Sequence, residues 1–523
     1  MKNPFKGLYF CGMPQRIQLK FSPEEAANDD FIKVQFLREA RLKEGKLVLM
    51  RKSLDSRSRS PFFIVSGDVY SSSESQEETE EFKLQNVNNA RPVHIIGAGP
   101  AGLFAALQCI ELGFKPIVIE RGKNVKERRR DLAVLNKEKV VNPESNYCFG
   151  EGGAGTYSDG KLYTRSDKRG PIQKVLNTFI QYGAAANIAY DAHPHIGTNK
   201  LPAIIEKIRM VIVECGGEVR FDTKLIDLEL QGRNIVSLVY SGGLTEKVNQ
   251  VILATGHSAR DIYELLDRKK IAIEAKPFAL GVRLEHPQEI IDKIQYKCDN
   301  RGSFLPPSTY SLVEQIESRG VFSFCMCPGG IIAPAATNSG EVVVNGWSPS
   351  KRSGKFANSG FVVTVDEADF KPFNHLGALA GMGFQSFWEK QAFKMSGSLS
   401  APAQRIEDFV QKRISTNLPE CSYIPGVVSS DIREVLPAEI SERIRLALVR
   451  LGQRMPGFRS NEAILVGVES RTSSPVRIPR NKENLQHVDL HNLYPCAEGA
   501  GYAGGIMSAA IDGINVVKAI ERV

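Results

Sequence analysis

The sequence has no long hydrophobic run. No stretch of its 523 residues approaches the ~18 apolar residues that cross a bilayer, and its first residues hold no apolar segment like that of a signal peptide. Its nine cysteines are odd in number and mostly scattered, which argues against a disulfide framework and suits a reducing compartment. We therefore expect a cytoplasmic protein with no membrane partner.

Neither basic nor acidic residues are in large excess in the sequence. A net charge of +8, with 42% apolar and 24% charged residues, is typical of a globular chain. This mild basicity allows an anionic ligand or a nucleic acid without favouring either, and we do not expect nucleic acid to be the partner. No repeat of the length that builds a solenoid is present. The sequence leaves the oligomeric state open.

A glycine motif is the most informative feature that is present. The apolar run Val93–Ile96 leads into Gly97-x-Gly99-x-x-Gly102, and a second apolar run ends at Glu120. Gly97 allows a sharp turn, Gly99 lets the backbone approach a pyrophosphate, and Gly102 lets the following helix pack on the strand. This context predicts a dinucleotide-binding site.

The same motif predicts the contacts of the site. A helix starting there directs unpaired N–H groups and its positive end at the phosphates. Glu120 would accept a hydrogen bond from a ribose hydroxyl. Pro100 and Ala101 lie inside the motif and Arg121 follows the acid, so we count them among the cofactor contacts.

The motif lies far from the N-terminus, which predicts a chain of several units. We expect an α/β protein with a discontinuous Rossmann-like domain and an inserted domain. Within the insertion we predict strands such as Phe278–Arg283 and a helix over Pro402–Ile414. The predicted segments are a small α+β unit of ferredoxin-like type (1–72), an acidic Ser-rich linker (73–91), the dinucleotide-binding domain in two parts (92–270 and 460–523) and an inserted α+β substrate domain (271–459).

Three blocks resemble the FAD-binding domain of two-dinucleotide-binding flavoproteins, the glutathione-reductase-like class. The blocks are Gly97 to Gly102 with Glu120-Arg121-Gly122, the strand end Ala254-Thr255-Gly256, and Ala497-Glu498-Gly499. The resemblance implies that the first block binds the ADP half of FAD and that the second covers the cofactor. It also implies that Glu498 meets the ribityl chain.

Two further glycine segments suit a flavin. A helix starting near Gly505 and Ile506 would direct its positive end at the negative charge of a reduced ring and raise its potential. The loop Gly150–Thr156, with Gly153 and Gly155, would let backbone approach a flat ring or a phosphate. The alternative for this loop is simple flexibility.

The whole chain also resembles bacterial FAD-dependent, NAD-utilising dehydrogenases whose substrate is not established. The resemblance itself adds little chemistry. Our leading hypothesis is hydride transfer between flavin N5 and a small-molecule substrate, for which an anionic compound is one candidate. No second Gly-x-Gly-x-x-Gly follows a strand, so NAD(P)H, if it is the reductant, must bind transiently in the substrate cleft. The segments that carry the resemblance are Arg51–Arg57, Gly150–Leu162, Phe324–Gly330, Glu469–Arg477 and Glu498–Gly505.

Several side chains are candidates for the chemistry. Arg471 and Arg477 flank three hydroxyl residues and predict an anion clamp for the substrate or the pyrophosphate, against the alternative of a surface loop. Lys161 is a candidate for stabilising a reduced flavin, or else forms an exposed ion pair. His193 and His195 are candidate acids or bases, with a structural role as the leading alternative.

Cys325 and Cys327 are the only close cysteine pair. A thiolate beside a flavin can carry electrons or attack a substrate. Disulfide-reductase flavoproteins, however, place their cysteine pair in the first domain, soon after the FAD motif. This chain does not, which favours inert buried cysteines. Two thiols also need two more ligands to hold zinc, so we predict no metal.

Two other functional classes remain open. The basic segment Arg51–Arg59 and the small N-terminal unit allow a flavin-dependent RNA-modifying enzyme, although a charged surface turn is the simpler interpretation. The second alternative is a non-catalytic flavin redox sensor. Arg128–Arg130 either reaches the cofactor phosphates or forms a solvated helix face.

Overall fold

The computed structural model describes residues 14–58, 60–71, 80–163 and 170–522. The strands are β1 (Gln15–Phe21), β2 (Lys46–Asp55), β3 (Phe62–Tyr70), β4 (Pro92–Ile96), β5 (Lys115–Ile119), β6 (Glu218–Arg220), β7 (Leu225–Gln231), β8 (Asn234–Tyr240), β9 (Thr245–Lys247), β10 (Val251–Leu253), β11 (Glu274–Ala275), β12 (Phe278–Pro287), β13 (Val313–Ile316), β14 (Arg319–Pro334), β15 (Val344–Trp347), β16 (Phe356–Val365), β17 (Ala401–Arg405), β18 (Val427–Ser429), β19 (Ile464–Glu469), β20 (Val476–Arg477) and β21 (Leu493–Pro495). The α-helices are α1 (Asp29–Glu39), α2 (Pro100–Glu111), α3 (Val125–Glu138), α4 (Ile172–Gln181), α5 (Leu201–Glu214), α6 (Arg260–Arg268), α7 (Gln288–Tyr296), α8 (Ala380–Ser396), α9 (Ile406–Val410), α10 (Ala438–Arg454) and α11 (Ile506–Glu521).

The N-terminal unit is an antiparallel sheet, β1-β3-β2, with α1 packed on one face. Within the described residues it has three strands and one helix, so it does not match the ferredoxin-like pattern of four strands and two helices. β2 continues to Asp55, so most of the basic segment is strand rather than a turn. The Lys52 N–H donates to the Tyr190 carbonyl at 2.8 Å, and the Ala192 N–H donates to the Lys52 carbonyl at 2.9 Å. These backbone bonds attach the unit to the next domain.

The acidic linker is shorter than predicted. Residues 72–79 lie outside the described residues, but the segment that follows packs on the next domain. The Phe82 and Phe104 ring centroids are 6.3 Å apart, and Val87 is buried, with its N–H donating to the Cys215 carbonyl at 2.8 Å. Apolar side chains in the second half of the segment explain the difference.

A parallel sheet in the order β21-β10-β4-β5-β6 forms the next domain. The edge strand β21 pairs with β10, and helix α11 packs against α2. These contacts bring the second part of the domain in the sequence together with the first. Gly513 has no space for a side chain, because a Cβ there would overlap the Ala101 carbonyl oxygen. The consecutive strands β9 and β10 belong to different sheets: β9 to a separate sheet, β7-β8-β9, and β10 to the parallel sheet.

The second large domain is built on a sheet in the order β13-β14-β16-β12-β19-β17-β18, with β15 paired to β14. The helix predicted over Pro402–Ile414 is wrong: the segment is strand β17 followed by the short helix α9. The boundary predicted after residue 459 is also wrong, because β19 pairs with both β12 and β17 inside this sheet.

In the part of the chain that the structure describes, no helix has the length and apolar character of a membrane span. Among the same residues, no group of three or more His, Cys, Asp and Glu side chains is arranged to hold a metal ion.

Candidate functional site

A deep cavity lies between the carboxyl ends of the parallel sheet and the second large domain. Ligands of open α/β sheets commonly bind at this edge, where the strand order changes direction. Most of the predicted site residues line the cavity: Gly97, Gly99, Pro100, Ala101, Glu120, Arg121, Gly153, Gly155, Lys161, Ala254, Thr255, Gly256, Cys325, Arg471, Glu498, Gly505 and Ile506. Four do not line it: Gly102, Thr156, Cys327 and Arg477.

The first glycine loop is shaped by close backbone contacts. Gly97 has φ 109°, and a Cβ there would overlap the Ala254 carbonyl oxygen. A Cβ on Gly102 would overlap the Gly97 carbonyl oxygen, so Gly102 serves helix packing and not ligand contact. Gly99 differs, since the nearest atom to its Cβ position is the Gly153 Cα at 4.0 Å. The loop therefore leaves Gly99 open toward the cavity.

Two helices begin at the cavity wall without side-chain caps. Gly99 precedes α2 and Gly505 precedes α11, and neither helix start has a capping side-chain hydrogen bond. The first N–H groups of a helix have no partner within the helix and attract negative charge. Both helix starts are therefore suited to hold an anionic or electron-rich group in the cavity.

Glu120 organises the loops around this end of the cavity. Its carboxylate accepts hydrogen bonds from the N–H groups of Ala98 at 2.9 Å, Gly122 at 2.9 Å and Gly150 at 3.0 Å. An ionised carboxylate accepts about four hydrogen bonds, so this set leaves capacity for a ligand hydroxyl. Glu120 has a structural role beyond the ribose contact that the motif predicts.

Arg121 lies over the Phe149 ring, 4.1 Å from its centroid. It also donates to Glu144 at 2.7 Å and to Asp261 at 2.9 Å. Burial opposes the charge of Arg121, but the two carboxylates outweigh it and raise its pKa. Arg121 is thus fixed as a cation at the cavity wall.

The loop Gly150–Thr156 packs against the first glycine loop. The Gly152 N–H donates to the Ala98 carbonyl at 2.8 Å, and a Cβ on Gly155 would lie 3.2 Å from Ile506. Thr156, predicted to contact the cofactor, is instead buried and donates its hydroxyl to the Glu151 carbonyl at 2.8 Å.

The third block brings Glu498 beside a residue that the sequence did not single out. The Nδ1 of His257 lies 3.3 Å from the Glu498 carboxylate, and both line the cavity. Tyr263 holds this loop by donating its hydroxyl to the Gly499 carbonyl at 2.6 Å. His257 directly follows the Ala254-Thr255-Gly256 block, which is the one sequence signal that pointed to it.

The anion clamp predicted at Arg471 is not supported. Its buried guanidinium bonds two carboxylates, Glu389 at 3.0 Å and 3.1 Å and Glu341 at 2.9 Å, and the hydroxyl of Thr337 at 2.8 Å. Arg260 also bonds Glu389, with both contacts at 2.8 Å. The two arginines and two glutamates balance in charge and join α6 of the sheet domain to α8 of the second domain.

Arg477 does not contribute to a clamp either. It is exposed on β20, outside the cavity, with its guanidinium 5.8 Å from the Tyr502 ring centroid. The sequence placed it near Arg471, but the intervening Pro-containing turn directs the two side chains to different environments.

Lys161 lines the cavity, as the sequence predicted. Its ammonium donates to the Met326 carbonyl and lies 4.0 Å from Asp159, which is paired with Arg352 at 2.6 Å. Burial raises the pKa of Asp159, but Arg352 and Lys161 outweigh it and hold that pKa below its usual value. Arg352 is therefore the closer partner of Asp159, and Lys161 is the more distant one.

The remaining basic candidates lie elsewhere. Arg128 is fully buried and donates to four backbone carbonyls of residues 146–151, so it holds that loop and does not reach toward phosphates. Burial lowers the pKa of His193 and of His195, and neither lines the cavity. His195 contacts the Ser350 carbonyl at 3.0 Å, which is a structural bond.

The second domain supplies a wall that the sequence did not predict. Phe324, Asn345 and Trp347, from β14 and β15, face the cavity together with Tyr147 and Tyr157 from the sheet domain. Trp347 is one of two tryptophans in the chain, which was the available signal. This part of the cavity is aromatic, with few charges.

A protein of Clostridium beijerinckii, described as uncharacterized, is 43% identical over 449 residues, covering 84% of this chain and 81% of its own. The chain belongs to the family of that protein. Residues 277–472 match a family model described as "FAD-dependent protein, C-terminal domain-like", and residues 13–70 match a domain of unknown function. The first match supports FAD as the cofactor of this family member, and its end at residue 472 places β19 in the second domain.

Solved structures of low sequence identity are similar to this chain. CtdE in complex with FAD is 12% identical, with coverage of 83% of this chain and 84% of that chain and a TM-score of 0.32. A geranylgeranyl bacteriochlorophyll reductase-like protein from Thermoplasma acidophilum is 11% identical, with coverage of 83% and 78% and a TM-score of 0.34. The halogenase PltM is 9% identical, with coverage of 83% and 69% and a TM-score of 0.35.

The cavity of this family member fits FAD. Gly99 and Gly256 both have free space at their Cβ positions, so backbone is exposed where a flat or phosphate-bearing ligand would lie. Two uncapped helix starts, a carboxylate with spare acceptor capacity and an aromatic wall supply the remaining groups.

Proposed function

We propose that this protein is an FAD-dependent oxidoreductase that transfers hydride between a small-molecule substrate and flavin N5. The observation that supports this proposal is that one cavity extends from the glycine loop of the sheet domain to strands β14 and β15 of the second domain. When bound, FAD supplies the two-electron acceptor. The remaining chemistry depends on how this chain binds and orients the two reactants.

The sheet domain would hold the cofactor. The start of α2, with Gly99, would hold the pyrophosphate, and Glu120 would accept from a ribose hydroxyl with its remaining capacity. The start of α11 at Gly505 would place a positive helix end beside the ring, favouring its reduced, negatively charged form.

The second domain would hold the substrate. Phe324 and Trp347 offer apolar faces, and Lys161 offers a positive charge that Asp159 neutralises only in part. The aromatic faces favour a planar substrate, and the ammonium favours an anionic one. Lys161 thereby takes the role that the sequence assigned to Arg471 and Arg477.

The test is the absorption spectrum of the purified full-length protein, recorded during anaerobic titration with NADH and then NADPH. We expect flavin bands that bleach with a suitable electron donor. Bleaching by a nicotinamide would identify NAD(P)H as a transient reductant, and persistent bands would direct the search to a substrate that itself reduces the flavin. A folded protein that holds no flavin after reconstitution with FAD would refute the proposal.

A further inference from the structure

The cavity contains one histidine. The structure describes all eight histidines of the chain, and His257 alone among them lines the cavity. Imidazole is the side chain whose charge ordinarily changes between about pH 5 and 8. The cavity therefore has one group of the type that gains and loses a proton near neutral pH.

Most other ionisable groups at the cavity wall already have partners. Glu120 accepts from three backbone N–H groups, and Asp159 is paired with Arg352 at 2.6 Å. Burial raises the pKa of Tyr147 and of Tyr157, so both hydroxyls keep their protons near neutral pH. The cations of this wall that form ion pairs with carboxylates are Arg121, Lys224 and Arg471.

The backbone holds His257 against Glu498. The Nδ1 of His257 lies 3.3 Å from the Glu498 carboxylate, and a Cβ on Gly499 would lie only 2.8 Å from the Gly256 nitrogen. A carboxylate beside Nδ1 favours the neutral tautomer with its hydrogen on that nitrogen. Among the described residues, the opposite ring nitrogen, Nε2, makes no hydrogen bond, so it is free to take up a proton.

The His257–Glu498 pair lies beside the start of α11. A Cβ on Gly504 would lie 3.4 Å from the Glu498 Oε1, and Gly505, the residue before α11, lines the same cavity. Under the proposed function, this helix start faces the flavin ring. The negative charge of a reduced ring would then develop near His257, and a nearby negative charge favours the protonated form of an imidazole.

The other ionisable groups around the pair lie on α6 and beside β11. Arg260, at the start of α6, is balanced by Glu389 at 2.8 Å. Burial raises the pKa of Tyr263 in the same helix, so its hydroxyl stays neutral. Burial lowers the pKa of Lys276, whose ammonium interacts with Glu498. Glu498 is thus the nearest charge to His257 and favours an imidazolium there, while Lys276 partly offsets it.

We propose that His257 takes up a proton when the flavin is reduced, and that Glu498 holds the ring and stabilises the imidazolium. The inference rests on the proposed function. The hydride that reaches the flavin carries two electrons and one proton, and a second proton passes from water to the Nε2 of His257. Both protons leave when the flavin is reoxidised. The imidazolium thereby offsets the negative charge of the reduced ring.

The midpoint potential of the FAD-loaded protein tests this proton uptake. It is measured against indicator dyes without oxygen, from about pH 5.5 to 8.5. Within this window the potential should fall with pH twice as steeply in the wild type as in His257→Gln, because two protons and not one accompany the two electrons. His375→Gln, at an exposed histidine outside the cavity, is the matched control and should follow the wild type.

Glu498→Gln tests the partner of the ring. The variant keeps a polar side chain beside Nδ1 and removes its charge, so the steep part of the potential curve should move to lower pH. Equal slopes in the wild type and His257→Gln, whether steep or shallow, would overturn the proposal, because the second proton would then bond elsewhere or not at all.

Carbethoxylation with diethyl pyrocarbonate gives a readout that needs neither electron transfer nor a variant. The reagent modifies neutral imidazole, and the tryptic peptide Val248–Arg260 contains His257 and no other histidine. We expect added FAD to slow the modification of His257 relative to that of His375, in the peptide Phe356–Lys390. Equal rates with and without FAD would overturn the role of His257 and leave the flavin proposal standing. A folded protein that binds no FAD would overturn both.

Discussion

Substitution of Gly99 by valine separates cofactor binding from folding. Gly99 has φ −74° and ψ −176°, a backbone conformation open to any residue, and its Cβ position lies 4.0 Å from the nearest atom, the Gly153 Cα. Valine is therefore accommodated by the fold but projects into the cavity. The same change at Gly97 or Gly102 would force backbone atoms apart.

The expected magnitude follows from the geometry. Inserting methyl groups into a space that a ligand must fill costs about 1–3 kcal/mol, which corresponds to FAD binding weaker by roughly 5- to 150-fold. The free energy of unfolding without cofactor should change by no more than about 1 kcal/mol, since the site is open and the valine restricts the unfolded chain. Affinity and stability are thus predicted to respond separately.

The assay is FAD titration of the flavin-free protein, followed by flavin fluorescence, with urea denaturation in parallel. Gly320→Val is the matched control, because Gly320 lies on β14 away from the cavity and the nearest atom to its Cβ position, Gln315 Nε2, is 3.8 Å away. Unchanged FAD affinity in Gly99→Val, with normal folding, would show that the first glycine loop does not hold the cofactor.

Two further predictions concern buried carboxylates. Glu389→Gln should lower the free energy of unfolding by about 3–5 kcal/mol in urea denaturation, because it leaves Arg260 and Arg471 short of one negative charge. Glu420→Gln, in an exposed pair, should cost at most about 1 kcal/mol, and equal effects would contradict the reasoning. Burial raises the pKa of Glu285 from 4.5 to about 7. The contribution of the protonated carboxyl group to the free energy of unfolding is therefore full below pH 4.5, and about 3 kcal/mol of it is lost as the pH rises through 7. Glu285→Gln should flatten the pH dependence of unfolding in that window, and an unchanged slope would refute this assignment.

The glycine fingerprint was predictable because its constraints are local. Gly97 and Gly102 are required by contacts within a few residues of chain or with the adjacent strand, and the acid at Glu120 follows at a spacing set by one helix. The sequence carries these requirements in a short window.

Features that depend on distant partners were not predictable. Arg471 binds Glu389 and Glu341, which come from other parts of the second domain. The sequence around Arg471 does not show these partners, so its guanidinium was predicted to be available for an anionic ligand. The segment predicted as the helix Pro402–Ile414 begins as β17 because pairing with β19 overrides local preference. Strand β14 likewise has a bulge, because Cys325 and Met326 lie opposite the single residue Ser359 of the distant strand β16.

The positions of β19 and β21 in the sequence affect how the protein folds during its synthesis. The sheet of the second domain lacks an interior strand until Glu469 has been synthesised, and the parallel sheet lacks β21 and the packed helix α11 until Glu521 has been synthesised. Both cores therefore close only after β19, β21 and α11 have been synthesised, and until then a nascent chain carries two unfinished sheets on the ribosome. Non-local pairing of this kind folds slowly and exposes strand edges. Premature termination anywhere before β19 should give an aggregation-prone product and not a smaller folded protein.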